Sequence, residues 1–209
     1  MPSNAELVAF QHEIESVWKE RPTFSDFGLA LIKPKAIQQC LENIIIERIE
    51  SKGLVIVKRK MLKLGGEQVD ALYPNLKNEF FYEDMKAFLM SDCVMALIVG
   101  GNGIDVAKEL VRIKGHSHER GTIRGDFFNR EWVGSKDLAL WEKGIHPRQA
   151  EITIQVVAQN TMHSLERREL IYQGIAILFN KDELKETSNR IGGFREFLND
   201  CRLQANIEK

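Results

Sequence analysis

The chain has 209 residues, 44% hydrophobic and 28% charged, a globular balance at a length that one large domain with additions can fill. A net charge of −1 argues against a general nucleic-acid binder, so any anion site has to be a local cluster of Lys and Arg. Three scattered cysteines, Cys40, Cys93 and Cys201, with no C-x-x-C pair, argue against a disulfide framework or a structural zinc site.

No apolar run reaches the roughly eighteen residues of a membrane span, and the N-terminus has no basic segment leading into an apolar one. A soluble cytoplasmic protein with free thiols is the expectation, Cys40 and Cys93 behaving as small hydrophobes inside apolar runs.

Residues 3–20 repeat Leu7, Val8, Ile14, Val17 and Trp18 at helical spacing, with Ser3 or Asn4 as cap, and predict an N-terminal helix. F-G-L-A-L-I, 27–32, reads as a buried strand stopped at Lys33-Pro34. Ile37, Leu41, Ile44, Ile45 and Ile49 form a helical stripe over 36–51, closed by Gly53. The β-rich run 54–64 predicts a second strand, two helical pieces follow near 66–73 and 78–91, and C-V-M-A-L-I-V, 93–99, predicts a third strand. A helix is expected over 104–113 and an irregular stretch over 114–150. A strand is expected at 152–158, a charged helix at 165–173, a short strand at 175–179 and a final helix from K-D-E-L. Strands and helices alternate without a linker between two cores, so a single α/β or α+β domain follows.

Several local patterns carry candidate chemistry. G-G-N-G, 100–103, has the G-x-G of a dinucleotide turn, but Val106 stands where a third small residue is needed, and a plain strand-to-helix turn capped by Asn102 explains it. His116 and His118, with Glu119 and His146 in the same stretch, lack a well-spaced ligand set, so no metal site is assigned. No G-x-x-x-x-G-K-[ST] loop occurs. Lys33 ends a buried strand, where a side chain can face a cleft; the plainer reading is a solvated turn. In G-T-I-R-G-D-F, 121–127, an Arg between glycines can approach a phosphate and grip it with its planar fork; the plainer reading pairs Arg124 with Asp126. His163, in N-T-M-H, is the third: a nucleophile, a ligand, or an ordinary imidazole.

Taken together, these strings resemble the nucleoside diphosphate kinases. L-A-L-I-K-P-K-A-I is similar to that family's first strand with its Lys-Pro end, and E-R-I-E-S-K-G-L-V-I-V-K-R-K-M-L to its first helix and second strand. G-T-I-R-G-D-F is the family's most recognisable string, and N-T-M-H matches its Asn-x-x-His, whose histidine is phosphorylated. The resemblance covers roughly 27–127 and 154–199. It divides the chain into an N-terminal helical extension (1–26), a kinase-like domain (27–199) with an insertion at about 128–151, and a tail (200–209).

The resemblance implies a ferredoxin-like fold, an antiparallel sheet covered by helices. It implies transfer of a γ-phosphate between nucleoside tri- and diphosphates, with His163 as nucleophile and Lys33 and Arg124 holding the transferred group. Tyr73 would stand beside them, Asn160 would bind the sugar, Phe80 would stack on the base, and Ser117 would take the place of a phosphate-binding Thr. The family's other phosphate Arg falls near Lys108 or Arg112. Mg²⁺, held mainly through the nucleotide phosphates, and a homo-oligomer are also implied, with no membrane or specific nucleic-acid partner. The chain departs from the family pattern at Leu165 and Gly174, where a Ser and a Glu would support the histidine. Ser164, Glu166 or Glu169 are the candidates to compensate. The departures and the insertion keep a second reading open, a nucleotide-binding or scaffold module with impaired catalysis.

Overall fold

The computed structural model describes residues 22–117, 119–128 and 133–207; the expected helix over 3–20, His118 and Trp132 lie outside the described residues. The elements are, in order, β1 (Asp26–Ile32), α1 (Pro34–Gln38), α2 (Glu42–Glu50), β2 (Val55–Lys63), α3 (Gly66–Leu72), α4 (Tyr82–Ser91), β3 (Cys93–Gly101) and α5 (Val106–Lys114). Then come α6 (Ile123–Asp126), α7 (Ser135–Glu142), α8 (Gln149–Thr153) running into a wide helical turn Ile154–Ala158, β4 (Met162–Ser164), α9 (Arg168–Leu178), α10 (Lys181–Arg190) and α11 (Phe194–Ile207).

The four strands form one sheet in the order β2-β3-β1-β4, antiparallel throughout. This is the expected ferredoxin-like α+β fold. It also removes the dinucleotide-fold reading of G-G-N-G, which needs a parallel sheet. Asn102 is a turn residue instead: its amide donates to Thr23 O and its oxygen accepts from Ser25 N, both at 2.9 Å.

Strand β1 is buried at all seven positions, which is why its sequence is continuously apolar rather than alternating. Successive side chains serve opposite faces. Phe27, Leu29 and Leu31 meet Ala96 and Ile98 under α3, α4, α9 and α11, while Ala30 and Ile32 join Leu97 and Val99 under α2, α5 and α6.

The structure corrects several expectations. The helix over 36–51 is broken between α1 and α2, where Cys40 takes φ 55° and is exposed, not a core thiol. Among its described residues the stretch 114–150 contains α6, α7 and the start of α8. I-T-I-Q-V-V-A is helical, not a strand, and I-A-I-L-F is the end of α9. In α9, Ile171, Gly174, Ile175 and Leu178 face the core at helical spacing. The fourth strand is instead the three-residue β4, and the region after K-D-E-L holds two helices, of which α11 runs through the boundary placed at 199.

The segment read as an inserted loop forms a small core with the residues that follow it. Val133, Leu138, Ile152 and Val156 cluster with Phe128, Trp141 and Val157. Trp141 Nε1 donates to Thr153 Oγ1 at 2.8 Å and Gln149 Nε2 donates to Trp141 O at 2.9 Å. His146 Nδ1 accepts from Arg148 N–H at 2.9 Å, which leaves the proton on Nε2, 3.1 Å from Asp137 Oδ1.

Candidate active site

The position of His163 is set by main-chain pairing. Leu31 stands opposite His163 and Ile32 opposite Met162, and Lys33 N donates to Thr161 O at 2.9 Å. Lys33, one residue past β1 and 1% exposed, therefore sits beside the strand that carries the imidazole. Tyr73 closes α3 and brings its ring to 4.8 Å from the His163 ring. Arg124 reaches in from α6, its Nε donating to Met162 O at 2.9 Å. Lys33, Tyr73, Ser117, Arg124, Asn160 and His163 line one cleft of about 170 Å³.

The G-T-I-R-G-D-F string explains how Arg124 arrives there. Thr122 caps α6 by accepting from Gly125 N at 3.2 Å. A Cβ on Gly125 would lie 1.8 Å from Glu119 O, so only glycine allows the loop to close under that carbonyl. Asp126 accepts from Gly121 N at 2.9 Å and from Arg48 at 2.7 Å. Asp126 is thus held by Arg48, and Arg124 is directed to β4, which overturns the surface-turn pairing of Arg124 with Asp126.

The site is strongly cationic and short of water. Burial, then the Arg124 and Lys114 charges, hold Lys33 well below the usual lysine range. Burial, then Lys33, Arg124 and Lys114, hold His163 well below the ordinary imidazole value, so it stays neutral and nucleophilic at pH 7. Burial lowers Lys114 to about 8 and Arg124 to about 10, with Arg124 remaining charged at neutral pH. Burial pushes Tyr73 upward, keeping its hydroxyl a donor. Tyr73 OH, Asn160 Oδ1 and His163 Nε2 are buried without a hydrogen-bond partner, an arrangement that a polar ligand would satisfy.

Three expected residues lie elsewhere. Phe80 is 62% exposed and packs edge-on against Phe81. Lys108 pairs with Asp105 at 3.1 Å, and Arg112 pairs with Glu109 through hydrogen bonds of 2.9 and 2.6 Å. Neither reaches the cleft. The nearby third cation is Lys114, which sequence reasoning missed. The signal was present: Lys114 continues the buried positions Ala107 and Leu110 on α5, where an apolar residue would be expected.

The two departures from the family pattern fit each other. A Cβ on Gly174 would come within 2.9 Å of Leu165 Cδ1 and 2.5 Å of Leu29 Cδ2, so Leu165 and Leu29 occupy the space a side chain at 174 would need. None of the three candidate compensators bonds to the imidazole: Ser164 Oγ is buried without a partner, Glu169 pairs with Arg167, and Glu166 is exposed.

Among the described residues no three His, Cys, Asp or Glu side chains form a metal-binding group, and the cleft is lined without a carboxylate. No helix among them is long and apolar enough to cross a membrane.

A family model described as nucleoside diphosphate kinase matches residues 27–184. The nucleoside diphosphate kinase of Ignicoccus hospitalis is 32% identical over 158 residues, covering 75% of this chain and 90% of that protein. That of Thermomicrobium roseum is 28% identical over 158 residues, covering 75% and 89%. Two solved structures share the fold. An orthorhombic crystal form of the Aquifex aeolicus nucleoside diphosphate kinase covers 76% of this chain and 97% of that one at TM-score 0.58 and 19% identity. The halophilic nucleoside diphosphate kinase from Halobacterium salinarum in complex with CDP covers 76% and 90% at TM-score 0.59 and 22% identity.

Proposed function

The chain belongs to the nucleoside diphosphate kinase family, whose members are phosphotransferases, and on that premise we propose that it transfers the γ-phosphate of a nucleoside triphosphate through a phosphohistidine at His163. The observation that supports this most is the gathering of a neutral, half-buried imidazole with Lys33, Arg124 and Tyr73 in one cleft without carboxylates.

In the first half-reaction the imidazole lone pair forms an N–P bond. The P–O bond to the β-phosphate breaks, and its electrons leave with the nucleoside diphosphate. The second half runs the same displacement backwards onto another nucleoside diphosphate. Lys33 and Arg124 place positive charge on the equatorial oxygens, with Lys114 close behind. The Tyr73 hydroxyl donates into the same space. Mg²⁺ would enter on the nucleotide phosphates, because the cleft offers it no carboxylate; when bound it neutralises phosphate charge. Homo-oligomeric assembly and a cytoplasmic location belong to the same reading.

Brief incubation with γ-labelled ATP and Mg²⁺ tests it. Wild type is expected to take up acid-labile, alkali-stable label that moves to added GDP, and His163→Ala to take up none. The orphaned Nε2 and the Leu165–Gly174 packing favour the second reading, an impaired nucleotide-binding module. ATP binding by calorimetry without label on His163 would establish that one instead.

A further inference from the structure

The cleft beside His163 encloses room for a phosphoryl group but not for a whole nucleotide. Its volume is about 170 Å³, whereas sites that enclose ligands of nucleotide size begin at about 300 Å³. What fills the remainder is the end of the insertion together with the residues that follow it, from α7 through the Ile154–Ala158 turn. Trp141, Val156 and Val157 line the cleft from one side, and Leu76 and Met85 from the other. The Ile154–Ala158 turn packs across onto α4.

The segment also occupies two groups that the family resemblance gives to substrate. Asn160 Nδ2 donates to Val157 O at 2.5 Å and to Val156 O at 3.3 Å, and Ser117 Oγ donates to Val156 O at 3.5 Å. Each tie is a side-chain donor on a main-chain carbonyl, a bond that a ligand or water can replace. They end on a wide helical turn, a local irregularity of the kind often found at functional sites. The segment has a small core of its own around Leu138, Ile152 and Val156, while Ile154 and Val157 also pack against the main core.

We propose that the segment from α7 through the Ile154–Ala158 turn is a gate over the phosphoryl chamber that must withdraw before a nucleoside diphosphate can enter. This rests on the kinase reading of the cleft. Closed, the gate admits only phosphate-sized groups and keeps water from phosphohistidine. Open, it releases Asn160 and Ser117 to the ligand.

Stopped-flow tryptophan fluorescence on the full chain tests the gate, with ADP and inorganic pyrophosphate as ligands. The pyrophosphate rate should rise linearly with concentration, whereas the ADP rate should level off at the rate of opening. Thr153→Val removes the acceptor of the Trp141 indole proton without touching the cleft, and should raise the ADP plateau at least about twofold. In parallel, ADP should speed amide exchange over 149–160 and pyrophosphate should not.

An ADP rate that stays linear, a plateau that Thr153→Val leaves unmoved, or unchanged or slowed exchange over 149–160 would overturn the gate. Transfer of label from ATP to GDP would leave the kinase reading standing in each case. Pyrophosphate binding with no ADP binding by either protein would overturn the nucleotide reading and the gate together.

Discussion

The two walls of the cleft are made of different kinds of chain. One wall is polar and hangs on the sheet: Lys33 follows β1, His163 lies in β4, and Arg124 is tied to the β4 backbone. The other is apolar and comes from the segment between α7 and β4, with Trp141, Val156 and Val157 packed in a small core of which Val157 also touches the main one. The first wall supplies charge in fixed places, as phosphoryl transfer requires. The second supplies enclosure. Chemistry and access are thus assigned to separate parts of the molecule, and perturbing either should leave the other readable.

The largest effect expected beyond loss of the nucleophile is at the polar wall. Arg124→Ala should lower the rate of phosphoryl transfer by about 10²–10³-fold, in line with removal of one preorganised charge-stabilising donor. Steady-state kinetics with ATP and GDP would measure it, and a loss confined to KM would show that Arg124 only binds. A smaller effect is expected behind the histidine. Gly174→Ala would force a methyl against Leu29 and Leu165 and should destabilise the fold by about 1–3 kcal/mol. Adding Leu165→Ser should return only part of it, because the contact with Leu29 remains; urea denaturation of the single and double variants would show this.

The smallest effect separates the walls by protons. Lys114, lowered to about 8, is partly neutral at pH 8.5 in the free protein, and burial moves Lys33 in the same direction. A phosphate dianion favours their charged forms, raises both pKa values and so draws protons in. Pyrophosphate binding at pH 8.5 should take up on the order of half a proton, less in Lys114→Met. Calorimetry in two buffers of different ionisation heat would read it, and Trp141→Phe, in the other wall, should leave it unchanged.

The same division governs what could be read from the sequence. β1 and β3 were legible because central strands covered on both faces are continuous apolar runs between turn signals. The same rule misread I-A-I-L-F, since a short apolar run looks alike in a buried strand and in the last turns of a buried helix. I-T-I-Q-V-V-A is rich in β-branched residues, yet packing in the inserted core makes it helical, tertiary context overriding propensity. Three-residue β4 is too short for any periodicity, although it holds His163.

At the site, the strings for Lys33, Arg124 and His163 were legible as motifs, and the structure brings all three together. Phe80, Lys108 and Arg112 do not line the cleft, since which side chains reach it depends on what else packs there. Lys114 is the clearer lesson, a charge on a buried stripe that the family pattern did not ask for.

The pairing of Lys33 N with Thr161 O, next to Leu31 opposite His163, has a consequence for chain length. The spacing between His163 and Lys33 is written in backbone hydrogen bonds across two neighbouring strands, not in the path of chain that joins Arg124 to His163. That path carries no metric information about the site. Lengthening it costs only the slow logarithm of loop closure, so segments of quite different size can be spliced there while the reacting atoms stay in register.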